Sequence, residues 1–386
     1  MQAYSLSKRL KQEYPNDEIE IINYRRKSVD RSYEYHLSDY LRSSNVKELA
    51  KKTLDLVLDP KLLKRMRYRT RVFNECQHRL PISEALICSD GTDELYRYIE
   101  ENYDVLVVGS DAVWNFVLRG FPNAYFPKAD LGVRKLSYAA SCYGMDFKKY
   151  AQDHKEEIRD IFSGFDFLGV RDGATEQFVE WTGCEKEPQH TCDPTVFLDV
   201  NDLPIDLELL HKKLEDRGFD FEKPAIGIMG NEKMLSMVRA MYGKQYQIVS
   251  LYNYLGAADV NLYDLEPYEW AYVFRYFKVT FTTYFHGTLL SLRNGVPVVC
   301  IDLGTEFGKH YVPKTLDVLG RLGFEDWYFK TDYKTINIDK IKSKADELIL
   351  GDYYKQITEV MDNEAKSFEV FNSALLSVMR KDTEND

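Results

Sequence analysis

The chain has 386 residues, 44% hydrophobic and 29% charged, an ordinary globular balance with length enough for two domains with real cores. A formal net charge of −11 argues against a nucleic-acid binder and against strong adsorption to anionic lipid. No apolar run approaches the ~20 residues of a membrane span, and no signal peptide is visible, so a cytoplasmic protein without a transmembrane segment is expected.

In chain order, Met1 to Tyr14 reads as an amphipathic helix with Leu6, Leu10 and Tyr14 on one face, and Ile19 to Tyr24 reads as a strand. Residues 30–60 look like loop and short helices. Lys61 to Arg79 carries seven Lys/Arg and one Glu, which is either a solvated face or a contact for phosphate or lipid headgroups. Asp104 to Gly109 is a buried strand running into Ser110-Asp111-Ala112-Val113-Trp114-Asn115. Open α/β sheets place ligands at such carboxyl ends of strands. Asp111 there is either an Asx-turn residue or a group that faces substrate, and Trp114 reads as core. Further strands are expected at Lys135–Ser141 and Phe167–Val170. The latter leads into Arg171-Asp172-Gly173 and a helix stopped by Gly183. Asp193 in Cys192-Asp193-Pro194-Thr195 is expected to fix a turn.

Residues 199–223 look like a charged helical connector. Strand–helix alternation then restarts at Pro224–Gly230, with strands at Tyr246–Leu251 and Val260–Tyr263 and a helix at Pro267–Phe277. Phe281 to Cys300 reads as strand, tight turn, helix and strand, with Asn294-Gly295 as the helix stop. His286 falls where the strand gives way to the helix, as a helix cap or as part of an anion site on the helix N-terminus. Gly287 is expected to let a ligand approach the backbone. Lys309 and His310 follow in a loop, then a helix at Lys314–Leu322. Apolar residues from Ile357 to Met379 predict one long helix that packs back across the body.

The expectation is an α/β protein of two Rossmann-like parallel-sheet domains facing a cleft, a glycosyltransferase-B-like layout with a C-terminal return helix. The domains are 1–200, 222–350 and 351–386. Six cysteines, Cys76, Cys88, Cys142, Cys184, Cys192 and Cys300, have no metal spacing and read as reduced core thiols. No metal site is expected.

The segments VLVVGSDAVWN (105–115), KLSYAAS (135–141), GVRD (169–172), CDPT (192–195), EPYEW (266–270) and YFHGT (284–288), in this order, resemble the polysaccharide pyruvyl transferase family. The resemblance implies phosphoenolpyruvate as donor substrate, with no cofactor. The pyruvate unit would be built as a ketal on two hydroxyls of a sugar acceptor, free or lipid-linked, with release of phosphate. It implies a basic trio for the donor, matched by Arg171, His286 and Lys309. Ser110, Gly287 and Thr288 would assist binding, and Asp111 would accept a hydroxyl proton or orient the sugar. His286 and Asp111 are the expected catalytic pair, in a cytoplasmic protein, free or in peripheral contact with the inner face of the membrane. A nucleotide-sugar glycosyltransferase of the same fold, or a non-catalytic carbohydrate- or partner-binding relative, are the alternatives. The chain departs from the family pattern in three places. It begins at Met1-Gln2-Ala3-Tyr4 without the usual first strand and Asn-Tyr-Gly turn. Ala112 replaces a glutamine, and Thr283-Tyr284 replaces Asp-Ser.

Overall fold

The computed structural model describes residues 1–26, 41, 46–58, 60–304, 310–331 and 336–383. Twelve described strands, all paired in parallel, form three sheets. In the N-terminal lobe, β1 (Ile21–Arg25) pairs with β2 (Ile82–Cys88) as a separate ribbon. Beside it stands a four-stranded sheet of β3 (Val105–Asp111), β4 (Arg134–Ala140), β5 (Phe167–Val170) and β6 (Gln189–His190), in that order. Parallel strands need helical crossovers that cover both faces, and their sequences are accordingly apolar almost throughout. In β4 every residue from Lys135 to Ala140 is buried.

The C-terminal lobe holds β7 (Ala225–Met229), β8 (Gln247–Ser250), β9 (Val260–Asn261), β10 (Phe277–Thr282), β11 (Val298–Asp302) and β12 (Tyr328–Lys330), ordered β12-β11-β10-β7-β8-β9. The chain winds outward from β7 in one direction and from β10 in the other. The sheet therefore reverses between β7 and β10, the point where doubly wound sheets open a crevice at their carboxyl ends. The helix Phe285–Arg293 starts at that reversal and carries His286 in its first turn.

The single long helix expected from Ile357 to Met379 is two helices, Tyr354–Ala365 and Phe368–Thr383. Their apolar stripes serve different lobes, which one straight rod could not do. Ile357 and Met361 join the core of the C-terminal lobe, whereas Phe368, Phe371, Leu375 and Val378 pack on Leu136, Tyr138 and Phe167 of the N-terminal sheet. The break at Lys366–Ser367 is held from outside, because Ser367 Oγ accepts the Cys192 N–H at 2.9 Å.

Two glycines are dictated by packing. Gly109 has φ +156°, and a Cβ there would lie 2.0 Å from the Tyr138 carbonyl oxygen on the neighbouring strand. At Gly287 a Cβ would lie 2.6 Å from Thr282 Oγ1 and 2.7 Å from Met229 Sδ. The missing side chain at Gly287 lets the helix seat on β7 and β10. Gly287→Ala is expected to cost about 1–3 kcal/mol by overpacking, read as a lowered midpoint in urea with an unchanged slope.

Candidate active site

Arg171 follows the last residue of β5, and its backbone N–H bonds the Ala140 carbonyl oxygen at 3.1 Å. The strand end thus drives its side chain under the sheet rather than into solvent, and it is 1% exposed. Its fork reaches two aspartates, Nη2 to Asp111 Oδ1 at 2.8 Å and Nη1 to Asp193 Oδ2 at 2.8 Å. Asp172 Oδ2 stands 3.9 Å from Nε, and the guanidinium carbon lies 4.7 Å from the centre of the Phe285 ring. Burial disfavours the charge, but Asp193, Asp111 and Asp172 more than offset it and hold Arg171 firmly protonated. A guanidinium so engaged has both terminal nitrogens committed to protein carboxylates.

Asp193 is the node of the cluster. Its Oδ1 accepts the Thr195 N–H at 2.9 Å, the turn-fixing bond expected from the sequence. Its Oδ2 accepts from Arg171 and from Gln2 Nε2 at 2.6 Å, and His286 Nε2 stands 3.5 Å away. Burial works against its charge, yet His286, Arg171 and the Thr195 N–H outweigh it and hold the carboxyl far below the usual carboxylate range. Asp111 ends β3 with φ +72°, and its side chain is one-third exposed. Burial again opposes ionisation, and the charges of Arg171, Lys314 and His286 again prevail, so this carboxyl too sits below its ordinary value.

Lys314 opens the helix Lys314–Arg321 from the other lobe. Its Nζ lies 3.8 Å from Asp111 Oδ1 and over the Tyr143 and Phe285 rings at 4.9 and 5.1 Å. Burial, then the like charge of Arg171, push its ammonium below the ordinary lysine value against the pull of Asp111. Behind it, Arg321 Nη2 donates to the Arg171 carbonyl oxygen at 3.4 Å. Its Nε meets Glu364 Oε1 at 3.2 Å, and that oxygen also meets His190 Nε2 at 2.9 Å.

Asp111, Arg171 and His286 therefore come together across the two lobes. Ser110 is half-buried beside Asp111. Lys309 lies outside the described residues. Thr288 is fully buried, its Oγ1 against the Tyr284 carbonyl oxygen at 3.2 Å and Cys300 Sγ at 3.1 Å. Trp114 is core, as read from the sequence, with Nε1 donating to the Tyr125 carbonyl oxygen. Two contributors were missed, Lys314 and the second face of Asp193. A signal for Lys314 existed: a lysine in a helix's first turn opposes the dipole, so something other than helix stability accounts for it.

The model of the family described as polysaccharide pyruvyl transferase matches residues 1–305. The chain belongs to that family, a family of transferases. No curated protein matches it significantly. Among solved structures, the UDP-GlcNAc 2-epimerase of Methanocaldococcus jannaschii aligns over 75% of this chain and 89% of its own, with 12% identity and TM-score 0.48. The UDP-GlcNAc 2-epimerase of Neisseria meningitidis, solved with UDP-GlcNAc, aligns over 98% and 96%, with 9% identity and TM-score 0.45. The wall teichoic acid polymerase TagF, as its H548A form, aligns over 88% and 99%, with 12% identity and TM-score 0.42. Identity this low carries nothing about chemistry.

Proposed function

We propose that the protein transfers the pyruvate unit of phosphoenolpyruvate onto two hydroxyls of a sugar, forming a ketal and releasing phosphate. The observation that carries this reading is the meeting of His286 and Lys314 from one lobe with Asp193 and Asp111 from the other, around a locked Arg171. The family to which the chain belongs supports the same reaction.

The donor carries roughly −3 charge, counting a phosphate of about −1.5 to −2. One cation at ~4 Å contributes about 4 kcal/mol at an effective dielectric of ~20, before desolvation. Lys314, His286 and the free first-turn N–H groups of the helix Phe285–Arg293 supply the positive field. Arg171 acts from beneath by fixing the two carboxylates. In the reaction the methylene carbon gains a proton and one hydroxyl oxygen bonds the adjacent carbon. The carbon–oxygen bond to phosphate then breaks, leaving an oxocarbenium-like centre. The second hydroxyl closes on it, and the two hydroxyl protons end on the new methyl group and on phosphate. In this reading His286 delivers the first proton or holds the departing phosphate. Asp111, with its carboxyl held below the ordinary value, is a weak base and serves to orient an acceptor hydroxyl by accepting its hydrogen bond.

Donor protection tests this reading. Phosphoenolpyruvate is expected to raise the unfolding temperature, whereas nucleotide sugars leave it unchanged. Lys314→Ala is expected to weaken the apparent donor affinity by about tenfold or more, the size of a charge-assisted contact. Protection by a nucleotide sugar and not by phosphoenolpyruvate would replace the proposal with a glycosyltransferase.

A further inference from the structure

We infer that Tyr311 is a positioning residue: it anchors the start of the helix Lys314–Arg321 in the N-terminal lobe and so holds the Lys314 ammonium beside Asp111. By its apolar side this helix belongs to the C-terminal lobe, where Val318 and Leu319 lie in the core. Tyr311, three residues before Lys314, does not follow it there. Its side chain is buried in the core of the other lobe, with its ring 5.0 Å from that of Phe147. Phe147 in turn lies 5.3 Å from Phe178 and 5.6 Å from Trp181, so Tyr311 completes an aromatic cluster built by the N-terminal lobe. Such rings bury a large apolar area in a fixed geometry, which makes a firm attachment. Tyr311 Oη donates to Asp146 Oδ1 at 3.4 Å, a long bond that aims the ring more than it holds it.

Two residues separate this anchor from Lys314, and they are stiff. Pro313 has φ −59°, set by its own ring, and ψ 135°. A residue before proline is in turn confined to extended backbone, which limits Val312. Fixing the Tyr311 ring therefore fixes where the Lys314 backbone stands. The helix meets the N-terminal lobe again further along. A Cβ at Gly173, the first residue of the helix Gly173–Thr182, would lie 3.6 Å from Asp317 Oδ1. Arg321 Nη2 then reaches the Arg171 carbonyl oxygen at the far end.

Lys314 needs such an anchor. Its Nζ faces Asp111 at 3.8 Å, and Arg171, Asp172 and Asp193 are the other charges that act on it. Burial and the Arg171 guanidinium both disfavour an ammonium there. A lysine has a flexible stem and relieves such stress by swinging its head into water. With the side chain 20% exposed, water is within reach. A backbone pinned from the N-terminal lobe keeps the head in the cleft. The consequence for donor binding rests on the reaction proposed above, whereas the placement of Lys314 does not.

Nuclear magnetic resonance of the full chain, isotope-labelled at lysine Cε, reads that placement with no donor present, and Lys314→Ala assigns the resonance. In the wild type Lys314 is expected to titrate below the ordinary lysine value. Tyr311→Ala is expected to move the titration up toward that value as the head escapes to water, and Tyr311→Phe, which keeps the ring, to leave it in place. Urea denaturation checks folding, and Tyr311→Leu, which keeps apolar bulk, takes over if the alanine variant does not fold. Donor affinity is the second arm. Tyr311→Ala is expected to weaken the apparent affinity for phosphoenolpyruvate by about tenfold, as Lys314→Ala does. The double variant is expected to bind no more weakly than Lys314→Ala alone, because two changes acting through one group do not add. An unchanged Lys314 titration in the folded Tyr311→Ala or Tyr311→Leu variant overturns the inference, and so does a double variant that loses about another tenfold. A titration that moves as expected, in a protein that phosphoenolpyruvate does not protect, upholds the role of Tyr311 and removes the donor reading instead.

Discussion

Arg171→Ala is expected to lower the folding free energy by about 3–5 kcal/mol, the usual cost of removing one partner from a buried ion pair. The guanidinium is 1% exposed and holds Asp111 and Asp193 at 2.8 Å each. Its loss leaves Asp193, whose side chain is equally buried, with Gln2, the Thr195 N–H and a distant His286 as its nearest polar partners among the described residues. Arg171→Lys restores charge but not the fork, because an ammonium cannot meet two carboxylates in one plane. It is expected to recover less than half of the loss. Urea denaturation at neutral pH measures both.

The pH dependence follows from the same cluster. Asp111, Asp193 and Glu364 all have folded values below their ordinary ones. Each therefore contributes stability that is fully present above the unfolded value, about 3.9 for Asp and 4.3 for Glu. That stability is lost as pH falls through the lower folded value. The gap between wild type and Arg171→Ala should narrow on acidification below pH ~4, because the variant no longer holds Asp111 and Asp193 down.

His286→Ala is expected to cost less stability than Arg171→Ala and to remove activity. The side chain is one-third exposed at the start of its helix, and its Nε2 finds no hydrogen bond of good geometry among the described residues, Asp193 being 3.5 Å away. Less folding energy is at stake there than at Arg171, the part that is lost being the support His286 gives the Asp193 carboxylate. Loss of a proton-transfer group costs about 10²–10⁴ in rate. Phosphate release from phosphoenolpyruvate across a panel of sugar acceptors should fall by that factor, with donor protection in a thermal shift retained in part through Lys314. Wild-type release by the variant would remove His286 from the chemistry.

Much of the fold was legible because parallel strands buried on both faces write themselves as short apolar runs. β3, β4, β5, β7 and β8 lie within a residue or two of their expected places. β2 was not read because its burial does not alternate cleanly, with Glu84, Ala85 and Leu86 all exposed. The return segment was read as one helix because periodicity reports that a stripe exists but not which lobe each part faces. At the site, the strand-end and helix-start residues Asp111, Arg171 and His286 were readable from their place in the α/β pattern. What Arg171 does was not. A strand-end arginine looks the same in sequence whether it greets a ligand or closes on Asp193, 22 residues further on. The packing at Gly287 and Thr288 was hidden for a related reason. Small residues beside a catalytic histidine invite a ligand-based explanation, whereas Met229, Thr282 and Cys300 crowd them from within.

The break at Lys366–Ser367 has a mechanical consequence. The chain passes from the first lobe to the second near Pro194–Phe197 and returns at 366–367, and the bond from Cys192 N–H to Ser367 Oγ ties the two crossings side by side. Two connections pinned at one spot make a pivot. Any displacement of one lobe against the other is therefore constrained beside Cys192–Asp193, where both crossings are tied.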